Sequence, residues 1–370
     1  MRRTSDTQGT SRRTGLNWAL TLLFVGLIAF DLKRFSVWTQ ILLLEDADPV
    51  HLFNQFHAHT FRYSLMLPVI RLADYLGVDR DRVFSFAVCA MMIAVARLVA
   101  SAAALCRSEA GAADSGRAYA PVMLAFMTVS LVMNGRLVFA FLGMAIICRS
   151  QVAWVRGVRK SALTCVFEQM LGVVLMSVSS GAFVVGVATV LSLLVYVPVG
   201  LLGRDARHLR LLLFVGVPVF GVQPFVDVVV KKNLDMFGTG WDAVFAMLDH
   251  GPGVFLRVFD DVVLAFVGLA PLAALVAFAA ARAVVRRYQE GANDTPLIMA
   301  IAIALAVGVF GYSTLLTGLV PAVALVAARL VFPQEHSDGH RTLGGPGFGA
   351  SAPTLRSSLE SRSARPLRLS

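Results

Sequence analysis

Charge is what this 370-residue chain has least of: Asp, Glu, Lys and Arg make up only 15% of it, against about 25% in ordinary soluble domains. With 57% hydrophobic residues and a mean hydropathy of +0.72, the shortage argues for lipid as the solvent. Backbone in lipid must satisfy its own hydrogen bonds, which leaves helices or a closed barrel. The ten-residue alternating segments that mark barrel strands are missing, so helices remain. Cysteine is scarce too. Cys89, Cys106, Cys148 and Cys165 show no metal-type spacing, and they read as small core residues. No nucleotide-phosphate loop is present, so ATP-driven transport by this chain alone is not expected. No cleavage-type small-x-small site follows the first apolar run, which ends Phe30-Asp31-Leu32-Lys33, so an uncleaved first helix is expected. No internal repeat is visible, which disfavours inverted-repeat transporter folds.

Long apolar runs are abundant: 16–30, 60–78, 83–105, 120–148, 161–178, 182–202, 210–230, 262–281, 296–312 and 313–332. They predict an all-α polytopic transmembrane bundle of about ten helices with both termini cytoplasmic. Residues 1–332 form its single transmembrane domain. The Gly-, Ser- and Arg-rich stretch 333–370 reads as a disordered cytoplasmic tail whose arginines could touch anionic membrane lipid. The run 120–148 is too long for one straight span, and Asn134-Gly135-Arg136 interrupts it, so either one tilted, broken helix or two half-helices making a single crossing is expected there. The net charge of +10 does not imply nucleic acid as a partner, because the basic residues lie in short loops and act as topology signals. With ten crossings, the cytoplasmic segments 1–15, 79–82, 149–160, 203–210 and 282–295 hold 16 Lys and Arg, and the outer segments 31–59, 106–119 and 231–261 hold seven. Splitting 120–148 into two crossings would move the Arg149, Arg156, Arg159 and Lys160 cluster outside, against that rule.

Charges deep in a bilayer are expensive and mark candidate sites. Arg62, Arg71, Asp74, Arg97, Arg136 and Glu168 fall inside apolar runs. Arg71 and Asp74, three apart, can neutralise each other on one helix face. Glu168 lies near a helix end and could snorkel. Arg97, assigned to the outer half of its span, and Arg136 have no acidic residue within four positions, so their partners must come from other helices or a ligand. A permanently charged guanidinium in that setting suits a lipid-linked phosphate or pyrophosphate. The first outer loop is dense in carboxylates and histidines, from Glu45, Asp46 and Asp48 through His51, His57 and His59. Such a cluster could bind a divalent metal, Asp46, Asp48 or His59 could serve as a general base for a sugar hydroxyl, or the loop could simply be solvated. His57-x-His59 fits no common zinc pattern, and neither a metal nor a cofactor is expected. In the outer loop 231–261, a short amphipathic helix over 241–248 would place Trp241 as a saccharide-stacking or interfacial residue. Ser177-Val178-Ser179-Ser180-Gly181 supplies a polar helix-hairpin turn.

The acidic loop Glu45-Asp46-Ala47-Asp48 leading into Phe61-Arg62-Tyr63, the segment Asn134-Gly135-Arg136-Leu137-Val138-Phe139-Ala140-Phe141, and the hairpin at Ser179-Ser180-Gly181 follow one another in an order that resembles bacterial polysaccharide polymerases of the Wzy-like and EpsG type. The likeness covers about 16–202, and EpsG-like members carry a histidine near the hairpin where this chain has serines. The resemblance implies joining of saccharides carried on polyprenyl pyrophosphate at the outer face of the inner membrane. Arg62, Arg97, Arg136 and Trp241 would bind substrate, and other polysaccharide-assembly proteins would be partners. A transporter or flippase of lipid-linked or anionic substrates, and a non-catalytic subunit of a surface-polysaccharide or secretion assembly, are the competing readings.

Overall fold

The computed structural model describes residues 4–37, 60–108, 110–158, 161–196, 234, 237–250, 267, 282, 286, 293–308 and 312–332. Among the described residues there is no strand. The helices are α1 (Thr4–Ala29), α2 (Thr60–Leu76), α3 (Arg80–Arg107), α4 (Ser115–Val132), α5 (Leu137–Val155), α6 (Ala162–Met176), α7 (Ser180–Tyr196), α8 (Trp241–His250), α9 (Thr295–Gly308), α10 (Tyr312–Thr317) and α11 (Leu319–Val331), with a 3₁₀ turn at Gly111–Asp114. Arg80–Arg107, Leu137–Val155 and Ser313–Val331 are long and apolar enough to cross a membrane. The runs 210–230 and 262–281 lie outside the described residues. The chain divides into Met1–Pro333 and Gln334–Ser370, and the tail reading falls outside the described residues.

The long helix α3 lies at the centre and packs on α1, α2, α4, α5 and α11. Its buried residues are mostly small, with Ala96, Ala100, Ala102, Ala103 and Ala104 all buried. Small side chains let helix backbones approach closely, which is how helices associate without a hydrophobic drive from water. Larger groups fill the remaining space: Phe126 and Phe141 pack with ring centroids 6.1 Å apart and planes tilted 59°. A close backbone contact joins α5 to α6. A Cβ on Gly143 would lie 2.3 Å from the Gly172 carbonyl oxygen, so neither helix can carry a larger residue there. Just beyond it, Gln151 and Gln169 are wholly buried. The Gln151 amide donates to the Thr189 carbonyl at 2.7 Å and to Gln169 Oε1 at 3.4 Å, tying α5 to α6 and α7. Leu22 and Leu23 on α1, Leu163 and Phe167 on α6 and Leu330 on α11 face outward, each more than half exposed. Amides inside and large apolar groups outside invert the pattern of a water-soluble domain.

Three expectations are corrected. First, 120–148 is not one broken span. It is parts of α4 and α5, joined by a turn at 133–136. Asn134 Oδ1 accepts the Arg136 N–H at 3.2 Å, the local bond that lets Asn start a turn. Gly135 is required by close approach, since a Cβ there would lie 2.8 Å from Phe84 and 3.0 Å from Phe35.

Second, α3 runs opposite to the expected direction. The turn after α1 and the start of α3 meet at one end: Arg34 pairs with Asp79, the Phe35 N–H donates to Ser85 Oγ at 2.8 Å and the Val37 N–H to Asp81 Oδ1 at 2.6 Å. The sequence reading had set 31–59 and 79–82 on opposite sides. This Asp79 end also holds the 133–136 turn. The Arg107 end holds the start of α4, where the Asn17 amide donates to the Gly116 carbonyl at 2.9 Å. It also holds Arg156, which donates to the Leu105 carbonyl at 2.5 Å. The Arg107–Asp294 pair at 3.2 Å and Arg117 over the Phe332 ring at 5.5 Å bring the start of α9 and the end of α11 there as well.

Third, Asp74 pairs with Arg80 and not chiefly with Arg71. The hairpin between α2 and α3 folds the Arg80 fork back onto Asp74, with Nε at 2.7 Å from Oδ1 and Nη2 at 3.1 Å from Oδ2. Two parallel bonds outcompete the single charge of Arg71.

Candidate functional site

A cleft of about 330 Å³ opens between α1, α3 and α4, lined by Thr14, Asn17, Trp18, Thr21, Arg97, Ala100, Ser115, Gly116 and Tyr119. Its shape follows from how α1 and α4 align. They run side by side in the same direction, because Asn17 meets Gly116, Thr21 shares a 2.8 Å hydrogen bond with the Tyr119 hydroxyl, and Lys33 Nζ donates to the Leu131 carbonyl at 3.1 Å. Thr14, Asn17 and Thr21 recur at i, i+3 and i+7, so an otherwise apolar helix turns one polar face to the cleft.

Arg97 enters from α3, with Ala100 one turn further on leaving room beside it. Its guanidinium is exposed and, among the described residues, has no hydrogen-bond or ion-pair partner. Among the described residues it is the only charged group in the lining, alongside three aliphatic hydroxyls, the Tyr119 phenol, the Trp18 indole and the Asn17 amide, and no Asp, Glu, His, Lys or Cys is among them. The cleft therefore presents a permanent cation and hydrogen-bonding groups to a ligand, with no described side chain suited to proton transfer near neutral pH. The described lining is suited in charge and hydrogen-bonding capacity to an anion.

The other predicted residues lie elsewhere. Arg97 is in the half of α3 nearer the Arg107 end, ten residues or about 15 Å from Arg107 along the helix. The outer-half assignment rested on the reversed direction of α3. Arg136 precedes α5 at the Asp79 end, half-buried in the 133–136 turn, and Phe84, which touches that turn, is about 20 Å along α3 from Arg97. The two arginines share no cleft. Arg62 lies on α2 near its start. Trp241 opens α8 and is 77% exposed; α8 covers the predicted 241–248 helix. Asp46, Asp48 and His59 lie outside the described residues. Glu168 is half-buried on α6. Among the described residues, no three of His, Cys, Asp or Glu gather closely enough to hold a metal ion.

Sequence reasoning missed Asn17, Thr21, Ser115 and Tyr119, and the buried amides Gln151 and Gln169. The signal for the first two was the polar i, i+3, i+7 stripe of α1, which hydropathy averaging over the run 16–30 conceals. The chain matches no protein-family model, no curated protein and no solved structure.

Proposed function

We propose that this chain is a bacterial inner-membrane protein that crosses the bilayer about ten times, with both termini cytoplasmic, and that it handles a lipid-anchored anionic substrate in polysaccharide assembly. The placement of the Arg107 end in the cytoplasm follows the positive-inside bias. Correcting the direction of α3 exchanges 79–82 with 106–119, and each segment carries two basic and two acidic residues. The exchange leaves 16 Lys and Arg inside against seven outside, and Arg136 in the 133–136 turn brings the outer count to eight, so the bias keeps its sign.

The observation that carries the proposal is Arg97, a permanent cation in a cleft with no compensating acid among its described lining residues. The substrate class is polyprenyl-pyrophosphate-linked saccharide, which offers the phosphate oxygens a guanidinium recognises. Two activities fit it. A glycosyltransferase of the polysaccharide-polymerase kind would work at the Asp79 end, with Arg136 holding pyrophosphate and Asp46, Asp48 or His59 activating the acceptor hydroxyl. A flippase would use cationic stations near both faces. The separation of Arg97, in the Arg107 half of α3, from Arg136 at the Asp79 end, with no proton-transfer group among the described residues lining the cleft around Arg97, favours that second activity.

Cells whose surface polysaccharide depends on this chain distinguish them. Polymerase action predicts that Arg136→Gln leaves single repeat units at the surface in place of long chains. Flippase action predicts that Arg97→Gln traps lipid-linked units on the cytoplasmic side. If both variants leave chain length and lipid-linked pools unchanged, the proposal fails.

A further inference from the structure

On the same membrane-embedded reading, we infer that the cleft between α1, α3 and α4 is a binding site for the phosphate head of an anionic membrane amphiphile, entered sideways from the leaflet at the Arg107 end. The lining is selective in charge: Arg97 is the one ionised group among its described residues. A phosphate could be bound by the guanidinium fork while Thr14, Ser115, Asn17 or Trp18 donates to its remaining oxygens. A volume of about 330 Å³ is at the small end for ligand sites. It suits a headgroup and not a whole oligosaccharide.

The walls say where the rest of such a ligand lies. Trp18 lines the cleft yet is 57% exposed, and Leu22, one turn along the same side of α1, is 64% exposed. Trp18 in the lining and Leu22 one turn beyond it on α1 offer exposed apolar surface, on which an acyl or isoprenoid chain packs while its head sits inside. Tryptophan beside a polar opening is also the residue that favours the lipid–water boundary. Arg97 lies about 15 Å along the helix from Arg107, a depth from which a long side chain snorkels toward headgroup level. Arginine at that depth, with no acid among the described residues to neutralise it, is costly unless water or an anion attends it.

Trp18 supplies the test. The full-length chain carrying Trp38→Phe, Trp154→Phe and Trp241→Phe retains only the cleft tryptophan and is purified into phosphatidylcholine nanodiscs. Adding phosphatidylglycerol should change Trp18 emission saturably, whereas further phosphatidylcholine should not. Inorganic phosphate at the same concentration should neither reproduce the change nor compete with it. Arg97→Gln should weaken the response about tenfold or more, the scale of a lost charge-assisted contact, with Arg97→Lys in between. No response of the Trp18-only protein to phosphatidylglycerol, or an undiminished response in a folded Arg97→Gln protein, overturns the site. Inorganic phosphate binding as well as the lipid overturns the amphiphile assignment. These arms use purified protein and plain lipid, so they can succeed where the polysaccharide reading fails, and fail where it succeeds.

Discussion

Replacing Asp294 by Asn tests whether the start of α9 is held to the end of α3 by charge. The pair is 3.2 Å apart, with side chains 12% and 3% exposed for Arg107 and Asp294. At that separation the attraction is about 5 kcal/mol for an effective dielectric near 20. Much of it offsets the cost of taking both ions out of water, so the net worth of the pair is small. Removing one partner is different, because it strands the other charge in a site built for two. Such losses run to about 3–5 kcal/mol. The carbonyl of Asp294 also accepts the Leu297 and Ile298 N–H groups at 3.1 and 3.2 Å; Asn keeps both bonds, so the substitution isolates the charge. The measurement is unfolding of detergent-solubilised protein by increasing SDS, for Asp294→Asn, Arg107→Gln and the double variant. Each single change should lower stability by about 3 kcal/mol, and the double should cost clearly less than their sum, with a coupling of about 1.5 kcal/mol or more. Additive losses, or singles costing under about 0.5 kcal/mol, would refute the reasoning.

Further outcomes follow from the packing. Gly143→Val should destabilise by about 2 kcal/mol or more, since even its Cβ meets the Gly172 carbonyl at 2.3 Å and Met176 Cγ at 2.7 Å. Gly26→Ala, whose nearest neighbour would be a Phe30 ring atom at 3.9 Å, should be neutral or stabilising by up to about 1 kcal/mol through helix propensity. The same SDS titration reads both, and the reverse order would contradict the α5–α6 contact. Gln151→Leu removes a buried amide that joins three helices and should cost about 1 kcal/mol, the usual scale for interhelical bonds in membranes; a gain in stability would show that the amide serves something other than packing.

Much of the helical layout is legible in the sequence because the physics behind it is one-dimensional. Runs 161–178 and 182–202 correspond to Ala162–Met176 and Ser180–Tyr196, with the serine-rich turn between them. Hydropathy reports where lipid can be tolerated, not where a helix stops, which is why α1 extends back to Thr4 through residues with no apolar run. The 120–148 region misled for a related reason. Two helices joined by a turn as short as Asn134-Gly135-Arg136 leave no polar gap wide enough to separate their apolar stretches, although Asn-Gly is itself a turn signal.

The direction of α3 was hidden more thoroughly. Segments 79–82 and 106–119 carry the same charges, so no charge count can tell which lies outside; only the contacts of Arg34, Phe35 and Val37 with Asp79, Ser85 and Asp81 fix it. Arg97 was visible as a lone cation in an apolar run. Its companions in the cleft come from two other helices, and a pairing as distant as Thr21 with Tyr119 leaves no mark in a single sequence.

The most direct test of the account is which side of the membrane each end of α3 faces. All four native cysteines are buried, so single cysteines can be introduced at exposed Arg82 and Ala112 and labelled with a membrane-impermeant maleimide. The account predicts that Arg82→Cys is labelled in intact cells and Ala112→Cys only after the membrane is opened. Labelling of both from the same side would contradict the membrane-spanning bundle on which the site and the proposed function rest.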